Sequence, residues 1–325
     1  MKRREFIVVL GSAAATSPLI ANAQQAMPVV GLLSSRSLDE SELAAIRDGL
    51  SASGYVAGRT LEIEYRSADG NFNRLPTLAA ELVRRPVSVI IAVVGGTASA
   101  EAAKVTTKTI PIVFANGSDP VKLGLVASLN RPGGNITGIT FLASTFGAKH
   151  IQLLHEALPE AIAVGILVNP FNPNAKAEIV DIQEAARTLG LEVNFENVST
   201  DAEIEDAVAR LARRPVQALM CGVDSFFADK GKLLVALAAQ YHLPVILSDR
   251  KLVPVGAFMS YGSIRNDALR LAAGYAARIL KGEKPADLPV QQATKVQLVI
   301  NLKTARTLGI TVPLSLLGRA DEVIE

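Results

Sequence analysis

The 325-residue sequence has one cysteine, three histidines and no tryptophan, and these shortages exclude several classes of protein. A disulfide-stabilised scaffold needs paired cysteines, and Cys221 is alone. None of His150, His155 and His242 stands near a cysteine or carboxylate at a spacing typical of metal ligands. We therefore expect no metal and no other cofactor. Cys221 lies in an apolar run, which favours a buried core thiol.

Motifs for catalysis and nucleotide binding are also missing. The sequence has no G-x-S-x-G elbow, no Walker loop and no G-x-G-x-x-G fingerprint. The 33 basic and 31 acidic side chains nearly balance, which argues against a large basic surface for nucleic acid. We expect a protein that is not an enzyme and does not bind nucleic acid.

The N-terminus has the order of an export signal. Basic residues at 2–4 precede the apolar run Ile7–Leu10, and a small-x-small pattern ends at Ala23. The pair Arg3-Arg4 resembles a twin-arginine signal, although Lys2 stands where Ser or Thr is usual, so the Sec route stays open. The apolar run is too short to span a membrane. We expect residues 1–23 to be removed, leaving a formally neutral periplasmic chain without membrane insertion; an uncleaved anchor is the alternative.

The rest of the chain repeats one plan twice. Short apolar runs alternate with segments of helical spacing, which is typical of a parallel sheet covered by helices on both faces. Segments of the first half recur in order about 130 residues later. The clearest copy is Arg84-Arg85-Pro86-Val87, which returns as Arg213-Arg214-Pro215-Val216. We predict an α/β protein with two Rossmann-like, doubly wound lobes of similar topology.

The two lobes are expected to exchange helices. A long helix follows the fifth strand of each half, at 146–158 and 265–280, so the chain would cross between lobes near Phe141 and Gly262. A strand-like run at 296–300 suggests a third crossing. We assign 24–141 and about 264–288 to the N-terminal lobe, and 142–263 and about 289–325 to the C-terminal lobe, with the tail left open. Such crossovers make a hinged cleft.

The loops after the strands supply candidate ligand contacts, because open α/β sheets bind ligands beyond the carboxyl ends of their strands. Gly95-Gly96-Thr97 opens a helix whose free N–H groups suit a carboxylate, and Ser118 and the Asn116 amide could add donors. Asp224 could accept from an ammonium group. The alternative is that these residues only cap helices and turns. Further candidates from the strand ends are Asn172, Ser225, Tyr261 and the aromatic rings Phe171, Phe226 and Phe227.

One family resembles this chain over nearly its whole length after the export segment. The resemblance rests on the stretch Asp119–Gly138, with Asn169-Pro170, the segment Asn172–Asn174 and the ending Arg319–Ile324. These segments are similar to the corresponding segments of the ABC importer substrate-binding proteins that are often labelled as tryptophan/tyrosine transport components. The resemblance implies the type I periplasmic-binding fold, with the ligand enclosed between two lobes. It also implies ligand contacts at Ser35, Gly96, Thr97, Ser118, Asp119, Asn169, Asp224 and Phe226.

The resulting functional hypothesis is a monomeric receptor that takes no part in catalysis. It would bind a small carboxylate-bearing solute, an aromatic or other apolar amino acid, and deliver it to an ABC permease and its ATPase subunit. One alternative is a periplasmic sensor that feeds a receptor. A second is an extracytoplasmic hydrolase or isomerase on the same fold, which the lack of a nucleophile–histidine–carboxylate set argues against.

Overall fold

The computed structural model describes residues 27–94, 97–141, 146–172 and 174–325. The predicted export segment lies outside these residues. The described chain forms two lobes, and each has a central sheet with helices packed on both faces. This arrangement confirms the predicted α/β class.

The sheet of the first lobe has six strands in the order β11-β5-β4-β3-β1-β2, and every neighbouring pair is parallel. Residues in β4 and β5 are buried at every position, because helices cover both faces of a parallel sheet. The strands are β1 (Val29–Ser34), β2 (Glu62–Ser67), β3 (Val87–Val93), β4 (Ile112–Asn116), β5 (Ile136–Thr140) and β11 (Gln291–Gln292).

Four α-helices of the described chain cover this first sheet. Helices α1 (Glu40–Ser51) and α9 (Arg265–Leu280) share one apolar core with it. Helices α2 (Leu75–Arg84) and α3 (Ala98–Thr106) share a second core on the opposite face. Helix α1 begins at a capping box, in which Asp39 accepts from the Glu42 amide and Glu42 accepts in return from the Asp39 amide.

The sheet of the second lobe has seven strands in the order β13-β12-β10-β9-β8-β6-β7. All neighbouring pairs are parallel except β10 and β12. Its first five strands in chain order, β6 to β10, repeat the arrangement of β1 to β5, which confirms the predicted duplication. The strands are β6 (Ala163–Val168), β7 (Glu192–Asn197), β8 (Ala218–Cys221), β9 (Val245–Leu247), β10 (Met259–Ser263), β12 (Val296–Asn301) and β13 (Glu322–Ile324).

Helices again cover both faces of the second sheet. One face packs against α4 (Phe146–Ala157) and α5 (Ala175–Leu189), and the other against α6 (Asp201–Ala212) and α8 (Gly231–Gln240). The described chain also contains three short α-helices, α7 (Ser225–Asp229), α10 (Leu302–Thr307) and α11 (Leu314–Leu317), and three 3₁₀ turns, at Phe72–Arg74, Arg250–Leu252 and Pro285–Asp287.

The chain crosses between the lobes three times. Helix α4 follows β5 of the first sheet but packs against α5, β9 and β10, whereas α9 follows β10 of the second sheet but packs against α1, β3 and β4. The third crossing lies between β11, which pairs with β5, and β12, which pairs with β10. Gln291 and Gln292 therefore join the first sheet beyond the predicted lobe boundary near 288. Three crossovers of the chain therefore connect the two lobes.

Candidate functional site

A cavity of about 380 Å³ lies between the lobes, at the carboxyl ends of the strands. Its volume falls in the range of small-molecule sites. The lining comes from the segments after β2, β3, β4 and β5 of the first sheet and after β6, β8, β9 and β10 of the second. Both sheets therefore direct their carboxyl ends at one space, as the topology requires.

Eight of the residues predicted from the sequence line this cavity, namely Thr97, Asn116, Ser118, Asn169, Phe171, Asn172, Asp224 and Phe227. Gly96 lies outside the described residues. Ser225 is the first residue of α7, and its side chain lies outside the described part of the structure.

Four other predicted residues do not line the cavity. The Ser35 carbonyl accepts from the Gly70 amide, and the Asp119 carboxylate accepts from two amides of the following turn. The Phe226 ring packs edge-on against Phe227, and it is Phe227 that lines the cavity. The Tyr261 ring packs edge-on against Phe146, which also lines the cavity. Phe226 and Tyr261 therefore support the rings that line the cavity, which are Phe227 and Phe146.

The first-lobe lining of the cavity contains a buried amide that has no hydrogen-bond partner among the described residues. Asn116 ends β4, is 2% exposed and lines the cavity. Neither its Oδ1 nor its Nδ2 atom has a hydrogen-bond partner among the described residues. An unsatisfied buried amide costs about 1–3 kcal/mol, so its retention suggests a partner that enters the cavity. Thr97 precedes α3, and its side chain makes no capping hydrogen bond.

The wall in the second lobe is a fixed hydrogen-bond network around Asp224. The Asp224 Oδ1 atom accepts from the Phe226 amide at 2.7 Å and caps α7, which is the role that the capping alternative predicted. Its Oδ2 atom accepts from Asn169 Nδ2 at 3.0 Å. Asn172 Nδ2 donates to the Val223 carbonyl at 3.3 Å. These bonds hold a carboxylate in a defined orientation at the cavity wall.

Sequence reasoning missed a cation at the edge of the cavity. Arg265 lines it and begins α9, where a positive charge opposes the helix dipole. Its Nη1 atom lies 3.5 Å from Oε1 of Glu42, whose side chain is 1% exposed. Burial would raise the pKa of Glu42, but hydrogen bonds and charge from Arg36, with the charge of Arg265, outweigh burial and lower that pKa. A cation at a helix N-terminus was the signal available in the sequence.

Aromatic rings from both lobes border the cavity. Phe72, in a 3₁₀ turn of the first lobe, is 48% exposed, and Phe171, after β6 of the second lobe, is 80% exposed. Phe146 and Phe227 line it as buried rings. The cavity therefore has polar groups at its strand ends and apolar rings around them, which is the usual composition of a ligand site.

Polar contacts join the lobes around this space. Asn174 Nδ2 donates to Ser118 Oγ at 2.9 Å, from the second lobe to the first. Arg36 Nε lies 3.0 Å from Asp229 Oδ1, again between lobes. Lys251 of the second lobe pairs with Asp39 of the first. The lobes thus touch at several points while the cavity remains between them.

The fold and the interlobe cavity define a binding protein of the two-lobed periplasmic type. The model of the ABC transporter substrate binding protein family matches residues 11–324, and the chain belongs to that family. No described helix is long and apolar enough to cross a membrane. The described residues contain no group of three or more His, Cys, Asp or Glu side chains arranged to hold a metal ion.

Relatives of this chain include binding proteins with named ligands. A tyrosine-binding protein of Clostridioides difficile is 28% identical over 288 residues, which cover 88% of this chain and 81% of the relative. A crystal structure of an ABC domain from Streptococcus pneumonia in complex with L-Trp is 28% identical, with a TM-score of 0.81, and the match covers 91% of this chain and 99% of that one.

A further solved structure, described as a conserved domain protein, comes from Vibrio cholerae. It is 31% identical to this chain, with a TM-score of 0.82, and the match covers 91% of this chain and 99% of that one. The similarity therefore extends over both lobes of the described chain.

Proposed function

We propose that this protein captures an amino acid with an aromatic or other apolar side chain in the interlobe cavity and delivers it to the permease of an ABC importer. The observation that carries the proposal is the buried Asn116 amide, which lines the cavity from the first lobe and has no hydrogen-bond partner among the described residues. The L-Trp complex of one relative and the tyrosine-binding name of another support the choice of ligand.

The cavity offers separate groups for the two charges of an amino acid. Asn116 and Thr97 of the first lobe, with Arg265 at its edge, are donors for the ligand carboxylate. Asp224 of the second lobe is the acceptor for the ammonium group, held in place by Asn169. Binding both charges draws the lobes together, because the two partners belong to different lobes.

The apolar part of the ligand packs among the aromatic rings. Phe146 and Phe227 form the inner wall, and Phe72 and Phe171 stand at the opening. Covering exposed aromatic surface adds binding free energy that a small or charged side chain does not provide. The ligand is therefore expected to be larger than alanine.

The same proposal includes the cellular setting. Residues 1–23 direct export and are removed, and the mature chain acts as a monomer in the periplasm. It supplies binding only, and the free energy for transport comes from the ATPase subunit of the importer. It interacts with neither nucleic acid nor the lipid bilayer.

A thermal-shift screen of the mature chain tests the proposal. Bound ligand raises the melting temperature in proportion to the logarithm of its concentration over its Kd. We expect L-tryptophan, L-tyrosine or L-phenylalanine to raise it, and tryptamine and indole-3-propionate, which each lack one charge, to bind roughly 10-fold to 100-fold more weakly. Stabilisation by sugars and not by any amino acid would contradict the proposal.

A further inference from the structure

A buried carboxyl group lies directly behind the cavity wall of the second lobe. Glu178 is 3% exposed and shares the buried face of α5 with Ala175, Ile182 and Ala186. This face packs on α4, where a methyl group added at Gly147 would lie 3.1 Å from the Glu178 side chain. Glutamate is almost never buried in a helix interface without a polar partner, so the residue has a specific role there.

The partner of Glu178 is the backbone of the cavity wall. Its Oε1 atom accepts from the Val223 amide at 2.8 Å, and its Oε2 atom lies 3.1 Å from where a Cβ atom on Gly222 would stand. Both Gly222 and Val223 line the cavity, and Asp224 follows them. One turn before Glu178, the helix reaches the first lobe through the bond from Asn174 to Ser118. Helix α5 therefore connects the Asp224 loop to the contact between lobes.

We propose that Glu178 is a positioning residue of the ligand site, which fixes the Gly222–Asp224 wall through the Val223 amide and gives up a proton when ligand binds. The inference rests on the proposed function, since it needs a cationic ligand group beside Asp224. It adds a coupling between ligand affinity and pH that the cavity residues alone do not provide.

The surroundings of Glu178 make its protonation responsive to charge in the cavity. Burial raises its pKa to about 7, with the Val223 N–H opposing this rise and the charges of Asp224 and Asp181 adding to it. From β8, the Cys221 thiol stays protonated, because burial and the charge of Glu178 raise its pKa. From α4, burial lowers the pKa of His150 to about 4, so this ring is neutral near pH 7.

The direction of the coupling follows from these charges. In the ligand-free protein, repulsion from Asp224 favours the protonated form of Glu178. An ammonium group bound to Asp224 offsets that repulsion and favours the ionised form, so the proton leaves. By linkage, ligand affinity then rises with pH through the region near pH 7 and falls below it.

Calorimetry of the mature protein with L-tryptophan and L-tyrosine tests this coupling. Titrations at one pH in buffers of different ionisation enthalpy count the protons released. We expect roughly half a proton released per ligand near pH 7, and a fall in affinity of roughly 3-fold to 10-fold between pH 8 and pH 6. Glu178→Gln keeps an acceptor for the Val223 amide and should lose both effects. Glu184→Gln, a change at an exposed carboxyl on the same helix, should keep them.

The outcomes separate this coupling from the proposed function. Proton release from the unmodified protein needs no variant, so it remains informative even if Glu178→Gln misfolds. Binding without proton exchange near pH 7, or equal exchange in Glu178→Gln, would contradict the coupling and leave the receptor function intact. An absence of heat with every amino acid at every pH would contradict the receptor function, and the coupling with it.

Discussion

The Asn116 amide is a polar group that folding alone does not explain. Both of its side-chain polar atoms are buried without a partner among the described residues, in contact with the cavity. Asn301 is buried to a similar extent, but its Nδ2 atom donates to the Val253 carbonyl at 2.7 Å and its Oδ1 atom accepts from the Thr304 amide at 2.9 Å. Asn301 therefore has a structural role, whereas the contacts of Asn116 are those expected of a binding residue.

Replacing each asparagine by leucine should have opposite effects on stability. Asn116→Leu removes an unpaired amide, so we expect the free energy of unfolding of the ligand-free protein to rise by about 1 kcal/mol while amino-acid binding is lost. Asn301→Leu leaves buried backbone groups unpaired, so we expect a loss of about 2–3 kcal/mol. Urea unfolding of both variants measures these changes in the free energy of unfolding. A loss of stability in Asn116→Leu as large as that in Asn301→Leu would mean that Asn116 is structural.

Glu178 should also leave a pH signature in the ligand-free protein. Its pKa is raised in the folded state, to about 7, so between about pH 4.5 and pH 7 the folded chain holds a proton that the unfolded chain has released. Stability conferred by the protonated group is therefore lost as pH rises from about 4.5 to about 7 and changes little above that. Relative to Glu178→Gln, we expect the unmodified protein to lose roughly 3 kcal/mol of unfolding free energy between pH 4 and pH 8. A difference independent of pH would show that Glu178 ionises normally.

At the scale of elements, the contact between α1 and α9 holds the exchanged helix on the first lobe. A Cβ atom on Gly49 of α1 would stand 2.3 Å from the Arg270 carbonyl oxygen and 2.7 Å from the Ala273 Cβ atom of α9. Real atoms do not approach so closely, so the helices would have to separate. Gly274 lies on the same α9 helix, and a Cβ atom there would meet nothing within 4 Å.

The two glycines make a matched pair of variants. We expect Gly49→Ala to lower the free energy of unfolding by about 2–3 kcal/mol, because it overpacks the interface. Gly274→Ala should raise it by about 0.5–1 kcal/mol, because alanine is the better helix former. Thermal unfolding of the two proteins gives the comparison. Similar stabilities would mean that α9 does not pack closely on α1.

Regular elements were predictable because their apolar patterns are strong. The helix predicted at 265–280 became α9 with the predicted bounds, and the helix predicted at 146–158 became α4, which ends one residue earlier. Strand β11 was not predicted, since Gln291 and Gln292 are exposed and carry no apolar alternation. Its pairing with β5 depends on where the chain returns from α9, which is a property of the assembled lobe.

The candidate site was predictable in position but not in detail. Thr97, Ser118 and Asp224 follow strands of the predicted sheets, and strand topology alone was enough to place them at the cavity. The choice between Phe226 and Phe227 was not available, because a five-residue helix gives too little periodicity to show which ring faces inward. The bond from Asn174 to Ser118 depends on how the lobes sit together, which local sequence does not encode.

At the scale of the whole molecule, closure depends on contacts made between lobes. Arg36 is held by Glu42 in the first lobe, through bonds of 3.0 and 2.7 Å, and reaches Asp229 of the second lobe. Both members of the interlobe pair are partly exposed, so we expect a contribution of about 0.2–1 kcal/mol that salt weakens. The pair favours the conformation in which the cavity is enclosed.

Removing this pair should weaken ligand binding without unfolding either lobe. We expect Asp229→Asn to lower amino-acid affinity by up to about 5-fold, mainly through faster dissociation, and the difference to shrink at high salt. Asp201→Asn removes the neighbouring Lys230 pair, which lies within one lobe, and should leave affinity unchanged. Stopped-flow dissociation of the bound amino acid measures both. Equal dissociation rates in the two variants would mean that the Arg36–Asp229 pair does not stabilise closure.

The central claim is that the interlobe cavity binds an amino acid through Asp224, and calorimetric titration of L-tryptophan into the mature protein and its Asp224→Ala variant tests it most directly. We predict one site per chain with a micromolar or lower Kd for the unmodified protein, and a roughly 100-fold weaker Kd for a variant that remains folded. Equal affinity in the two proteins, or no binding of L-tryptophan or any other amino acid by the unmodified protein, would contradict the account.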